Sequence, residues 1–259
     1  MKVSILIPVY NEFATFGAVM ERVQSAPLPA GCTKEIVVVD DGSTDGTAGM
    51  IREFAGRGEI VAYRLASNSG KSAAIRKAIE LASGDAILIQ DGDLEYDPRD
   101  YMRLLEPIFA GRAEVVYGSR FLGECRGMAM PNRVANWILT RAANLLYRAR
   151  ITDEATAYKA FRASLLRDLP LECERFEFCS EVTAKLSRLG HRIHEVPISY
   201  NARGIAEGKK IRARDGFAAL WTLIRWRFRN FATRASDRTS APRESGRWSP
   251  VPSRIRRRL

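Results

Sequence analysis

An open α/β domain with a mostly parallel sheet is the fold this 259-residue sequence predicts. Three observations carry that reading: short β-rich runs alternate with helix-spaced intervals, several runs are continuously apolar, and acidic segments follow their carboxyl ends. Alternation of this kind builds parallel βαβ units, and ligands of open α/β sheets gather beyond the carboxyl ends of the strands.

Residues 3–9 form the first strand; the polar pair Asn11-Glu12 interrupts the run too early for the hydrophobic region of a signal peptide. Residues 35–40, 60–65 and 86–89 are the next three strands. The segment 40–47, Asp-Asp-Gly-Ser-Thr-Asp-Gly-Thr, ends the second strand and opens a helix with Thr44 or Asp45 as its N-cap. Before the fourth strand, Ala74, Ile75, Ala78, Ile79 and Ala82 recur at helical steps until Gly84-Asp85 ends the helix. Residues 115–117 are a further strand. After Gly118-Ser119-Arg120 the spacing predicts a helix over 132–147, a compact polar loop over 151–159, a helix over 178–189 and a strand over 194–200. Phe217, Trp221, Ile224, Phe228 and Phe231 form a last apolar stripe, flanked by Arg225, Arg227 and Arg229. That stripe fits a helix packed on its own domain or an amphipathic helix lying on lipid.

The net charge of +11 is uneven, since from residue 225 onward eleven arginines face only Asp237 and Glu244. Residues 236–259 read as a disordered Arg-rich tail, suited to an anionic membrane surface and, less specifically, to nucleic acid. Cys32, Cys125, Cys173 and Cys179 have no metal-binding spacing, as expected of a reduced cytosolic chain. No apolar stretch approaches the roughly 18 residues of a membrane span.

Asp91-Gly92-Asp93-Leu94-Glu95 follows the fourth strand directly. On extended backbone, period-two spacing turns the three carboxylates the same way, and hard oxygen ligands suit Mg²⁺ or Mn²⁺. The same residues also fit a solvated acidic turn closed by Asp97-Pro98. Asp40 and Asp41 can accept from a nucleobase or ribose, or simply belong to a capped turn. Ser69-Gly70-Lys71-Ser72 resembles the end of a phosphate loop, but Leu65 stands where the earlier glycine belongs, which disfavours a nucleoside triphosphatase. Lys71 is then a helix-start residue near a nucleotide.

Together, residues 8–12, 38–47, 70–71, 84–85 and 91–95 resemble the inverting glycosyltransferases of family 2. The resemblance implies a GT-A fold over residues 1–235, with a nucleotide-sugar-binding half (1–118) and an acceptor half with amphipathic helices (119–235). A narrower resemblance, to the dolichol-phosphate mannose synthases and bacterial polyprenyl-phosphate sugar transferases, rests on 91–95, 118–121, Arg133, Thr152-Asp153, Tyr158-Lys159 and 207–210. The third acidic position is commonly Gln there and is Glu95 here, which leaves the donor sugar open.

By resemblance, Asp91, Asp93 and Glu95 arrange a Mg²⁺ or Mn²⁺ ion, and Pro8, Tyr10, Glu12, Asp40, Asp41, Lys71, Asp91, Arg203, Lys209 and Lys210 hold the nucleotide sugar. Arg120 and Arg133 meet the acceptor phosphate; the catalytic group comprises Asp91, Asp93, Asp153 and Arg120. Asp153 is the base if the acceptor is a hydroxyl, and otherwise orients donor or cations. The expected activity is inverting transfer of one sugar from GDP-mannose, UDP-glucose or UDP-N-acetylglucosamine to a polyprenyl phosphate, by a peripheral enzyme on the cytoplasmic face of the membrane. A small membrane-protein partner is compatible with this; nucleic acid is not the expected partner. The rivals are a transferase acting on a sugar hydroxyl and a degenerate nucleotide-sugar-binding or nucleic-acid-binding module.

Overall fold

The computed structural model describes residues 1–203 and 213–231. In chain order, β1 (Lys2–Val9), α1 (Phe13–Ser25), β2 (Thr33–Asp40), α2 (Thr47–Gly56), β3 (Val61–Arg64), α3 (Lys71–Leu81) and β4 (Ala86–Ile89) build the first half. They are followed by α4 (Tyr101–Phe109), β5 (Val115–Ser119), β6 (Cys125–Arg126), α5 (Met130–Tyr147), β7 (Lys159–Arg162), α6 (Ala163–Asp168), α7 (Phe178–Arg188), β8 (Ile193–Pro197), β9 (Tyr200–Asn201) and α8 (Ala213–Phe228).

Seven strands form one sheet in the order β3-β2-β1-β4-β7-β5-β8. All neighbours are parallel except β7, which runs antiparallel to both β4 and β5. β7 therefore lies between strands contributed by residues 1–118, so both expected halves share a single sheet. The expected polar loop over 151–159 leads into this strand and is not solvated: Asp153, Glu154, Thr156 and Lys159 are fully buried. Lys159 escapes recognition as a strand residue because its ammonium is satisfied internally, donating to the carbonyls of Glu154 and Thr156 at 2.8 Å each.

Side chains alternate across the sheet as extended backbone requires. Val3, Ile5, Ile7, Val9, Ile36 and Val38 enter one apolar layer, whereas Leu6, Val37 and Val39 enter the other. Each such residue, fully buried, contributes about 1.5–3 kcal/mol. A third cluster joins Leu139 and Ala143 of α5, Ala184 of α7, and Ala219, Leu223 and Trp226 of α8.

Two expectations need correction. Helix α2 is preceded by Gly46 at φ 98°, so neither Thr44 nor Asp45 is its N-cap. Asp45 instead accepts from the Thr47 N–H at 3.1 Å, and the Thr44 N–H goes to Asn11 Oδ1 at 2.8 Å. The apolar stripe of α8 is not its packed side, because Phe217, Trp221 and Phe228 are 75, 63 and 79% exposed. Only Phe231 turns inward, edge-on to Trp226. Helix α5 shows the same arrangement, with Met130, Val134, Trp137 and Ile138 exposed at helical spacing. Among the described residues no helix is long and apolar enough to cross a membrane.

Candidate functional site

The site lies beyond the carboxyl ends of β1, β2 and β4, where three loops bind one another. Asn11, at φ 49°, donates its N–H to Ser43 Oγ, and the Glu12 N–H reaches Thr47 Oγ1 at 3.0 Å. Asp40 is fully buried, accepting from the Ser43 N–H at 2.9 Å and lying 3.4 Å from Arg64. Asp41 accepts from the N–H groups of Ser69 and Gly70 at 2.7 and 2.8 Å. Burial nonetheless holds its carboxyl above the ordinary range, helped by the charge of Asp40.

The start of α3 is closed to phosphate. The Ser72 and Ala73 N–H groups donate to the carbonyls of Arg175 and Glu174 at 2.7 and 2.8 Å. Gly70 permits that contact: its φ is 103°, and a Cβ would stand 2.5 Å from the Glu174 oxygen. Lys71 turns instead to Asp91, with Nζ 2.5 Å from Oδ1. Burial opposes the ammonium, yet Asp91 raises its pKa above the ordinary value.

The acidic segment leaves the strand after Ile89 and bends, so period-two geometry does not extend to Glu95. Gly92 lets it approach β1, since a Cβ would lie 3.2 Å from the Pro8 carbonyl oxygen. Asp93 pairs with Arg203 at 2.6 Å, and Arg203 also reaches Glu12 at 3.1 Å while its backbone N–H donates to Glu95 Oε1 at 2.8 Å. Glu12 and Asp93 thus converge on one guanidinium and Glu95 on the backbone N–H of the same residue, with Asp91 held by Lys71. Among the described residues, no three His, Cys, Asp or Glu side chains are grouped to hold a metal ion. The donor set still fits a hard divalent cation. Burial and the charges of Asp91 and Glu95 push the Asp93 carboxyl up to about 7 against the opposing Arg203, an excess of negative charge that such an ion relieves. Asp91 and Asp93 would hold it, and it would neutralise charge on a departing diphosphate.

In the second half of the chain Arg120 and Asp153 form a buried bidentate pair, Nε to Oδ2 and Nη2 to Oδ1 at 2.7 Å each. The Arg120 backbone N–H adds a third bond to Asp153 at 3.0 Å. Arg120 also lies over the Tyr200 ring at 5.1 Å. Arg133 does not join this cluster: it is exposed on the first turn of α5, with no ion pair among the described residues. Tyr10 is half-buried at the end of β1. Lys209 and Lys210 lie outside the described residues.

Two supporting residues escape sequence reading. Gln90 accepts from the hydroxyls of Tyr101 and Tyr158 at 2.7 and 2.6 Å and donates to the Asp91 carbonyl at 2.9 Å, setting the root of the acidic segment. A polar residue ending a buried run was its only signal. Glu195, on β8, accepts from the N–H groups of Thr152 and Asp153 at 2.7 and 3.0 Å. Nothing local distinguishes it from a surface acid.

The mostly parallel sheet with carboxylates at its strand ends is that of a GT-A fold. The chain belongs to glycosyl transferase family 2, whose profile matches residues 4–169. It is 29% identical over 213 residues to a dodecaprenyl-phosphate galacturonate synthase of Rhizobium johnstonii, covering 78% of this chain and 60% of the relative. It is 28% identical over 240 residues to a dolichol-phosphate mannosyltransferase of Pyrococcus furiosus, covering 87% of this chain and 64% of the relative. The chain thus spans about three fifths of the length of these relatives. Its fold matches glucosyl-3-phosphoglycerate synthase of Mycobacterium tuberculosis, solved with Mn²⁺, UDP and phosphoglyceric acid, at a TM-score of 0.68 and 21% identity over 89% of this chain and 80% of that one.

Proposed function

We propose that this glycosyltransferase moves a single sugar, with inversion, from a nucleotide sugar to a polyprenyl phosphate at an anionic membrane surface, with Mg²⁺ or Mn²⁺ as cofactor. The observation that carries this reading is the pair of exposed apolar stripes on α5 and α8, in the half of the chain that holds Arg120 and Asp153. A lipid-borne acceptor requires such a face beside its phosphate site, and a soluble acceptor does not. The relatives named for dodecaprenyl and dolichol phosphates support the acceptor class.

In this reading Tyr10, Glu12, Asp40, Asp41, Lys71 and Arg203 hold the donor, with Pro8 shaping the wall behind Gly92. Asp91, Asp93 and Glu95 would hold the cation, which would neutralise charge on the leaving diphosphate, and Arg203, now paired with Asp93, would bind the donor phosphates. Arg120 meets the acceptor phosphate, and Arg133, exposed on the first turn of α5, stands outside that cluster. A lipid phosphate is already an anionic nucleophile and requires no base. Asp153 orients Arg120, in keeping with its complete burial and bidentate bond.

Purified protein given labelled GDP-mannose, UDP-glucose or UDP-N-acetylglucosamine, Mn²⁺ and polyprenyl phosphate should yield a chloroform-soluble labelled lipid. Absence of product from all three donors, with product formed on a sugar hydroxyl instead, would replace the acceptor class. Asp153→Asn separates the two chemistries further: a hydroxyl acceptor deprotonated by Asp153 loses nearly all turnover, whereas a phosphate acceptor retains part of it.

A further inference from the structure

At the C-terminal ends of α5 and α8 lies a cavity of about 430 Å³ lined by Leu145, Tyr147, Arg148, Ser187, Arg188 and Arg227, among others. Its walls come from the last turns of α5, α7 and α8, and among the described residues no acidic one lines it. Arginines at helix C-termini ordinarily answer the exposed carbonyls. Arg188 does this for α8, donating from Nη1 to the carbonyls of Trp226 and Arg229 at 2.7 and 2.5 Å. Arg148 and Arg227 do not: their guanidinium groups make no hydrogen bond or ion pair among the described residues. The contrast with their neighbours is sharp, because Arg225 and Arg229 both pair with Glu172.

With three arginines on one concave surface the local potential is positive and suits an anion. Forked N–H donors suit a phosphate. The rim adds the identity of its carrier, since Leu145 is 84% and the adjoining Phe228 79% exposed, extending the apolar faces of α5 and α8 to the cavity mouth. We propose that Arg148, Arg188 and Arg227 bind the headgroup phosphate of an anionic phospholipid in the bilayer on which α5 and α8 lie. The inference rests on the membrane-surface reading above and adds a second phosphate site, separate from donor and acceptor, that anchors the C-terminal ends of the helix pair.

Vesicle sedimentation of the full chain tests it, comparing neutral phosphatidylcholine with phosphatidylcholine containing phosphatidylglycerol. The double variant R148Q/R227Q should lose more than about thirtyfold of the preference for anionic vesicles, given about 1 kcal/mol per basic residue at a charged surface and additional loss from the built site. The control R141Q/R150Q removes two charges from the same helix and the loop after it, and should lose several-fold less. Equal losses would reduce the cavity to diffuse charge and overturn the proposal. So would inorganic phosphate at millimolar concentration abolishing the difference between wild type and R148Q/R227Q while vesicle binding persists, since the occupant would then be free phosphate. Failure of the wild-type protein to bind either vesicle would instead defeat the membrane-surface reading itself.

Discussion

Glu35 shows how one carboxylate ties three segments of the sheet. It accepts from Ser4 Oγ at 2.5 Å and from the Ser83 N–H and hydroxyl at 2.8 and 2.6 Å, and it pairs with Lys2 at 2.6 Å. Burial opposes its ionisation, but Lys2, Ser4 and Ser83 prevail and hold it down to about 2. A depressed carboxyl stabilises the folded state fully above its ordinary value of 4.5, and that contribution is lost as pH falls from there towards 2. The melting temperature of Glu35→Gln should therefore fall less steeply than wild type across that interval; parallel curves would refute the assignment. Asp93 carries the equivalent test for chemistry. Asp93→Asn should keep the fold by circular dichroism while reducing metal-dependent turnover on the order of a hundredfold, the scale of losing one charge-stabilising group. Undiminished rates across a Mn²⁺ titration would remove Asp93 from the metal site. The identities of these carboxylates were legible in sequence, but their present partners were not. Arg203 and Asp93 are 110 residues apart, and only folding brings the guanidinium onto Glu12 and Asp93 together.

Helix α8 is anchored by one side and leaves the other to solvent. Its Trp226 is 2% exposed and lies under the Lys185 ammonium, 3.5 Å from the ring centroid, while Lys185 pairs with Glu181 at 2.5 Å. Trp226→Ala should cost about 3–5 kcal/mol in denaturant unfolding, the range for truncating a buried aromatic. The paired substitution Trp221→Ala/Phe228→Ala should change stability by less than about 1 kcal/mol, because surface truncations lie near ±0.5 kcal/mol each. Vesicle binding should respond the other way, falling for the double variant; a large stability loss there would mean the stripe is packed after all. Periodicity revealed that α8 is amphipathic but not which side faces inward. Both Trp226 and the Phe217 stripe are apolar, and the choice falls to Lys185, Leu139 and Ala143 on the helices beneath.

At the scale of the whole molecule, positive charge and apolar surface accumulate in the second half, while the carboxylates stand at the strand ends of the first. Residues 236–259, expected to form a disordered basic arm, lie outside the described residues. Deleting them should leave turnover with a detergent-dispersed acceptor within about twofold, since substitutions and truncations away from a site rarely alter it. Binding to anionic vesicles should weaken and lose much of its salt dependence. Loss of turnover in detergent would give the arm a catalytic part instead.

The sequence by itself determined the βαβ order, the strand-end carboxylates and the family, because these depend on short-range periodicity and on motifs whose residues are neighbours in the chain. Only the tertiary structure decided that β7 enters the sheet antiparallel, that Lys71 and Arg203 hold the acidic segment, and that α5 and α8 show their aromatic faces to solvent. Each of these depends on which distant surface wins a shared apolar layer or an unpaired charge, a competition among contacts that no local spacing records.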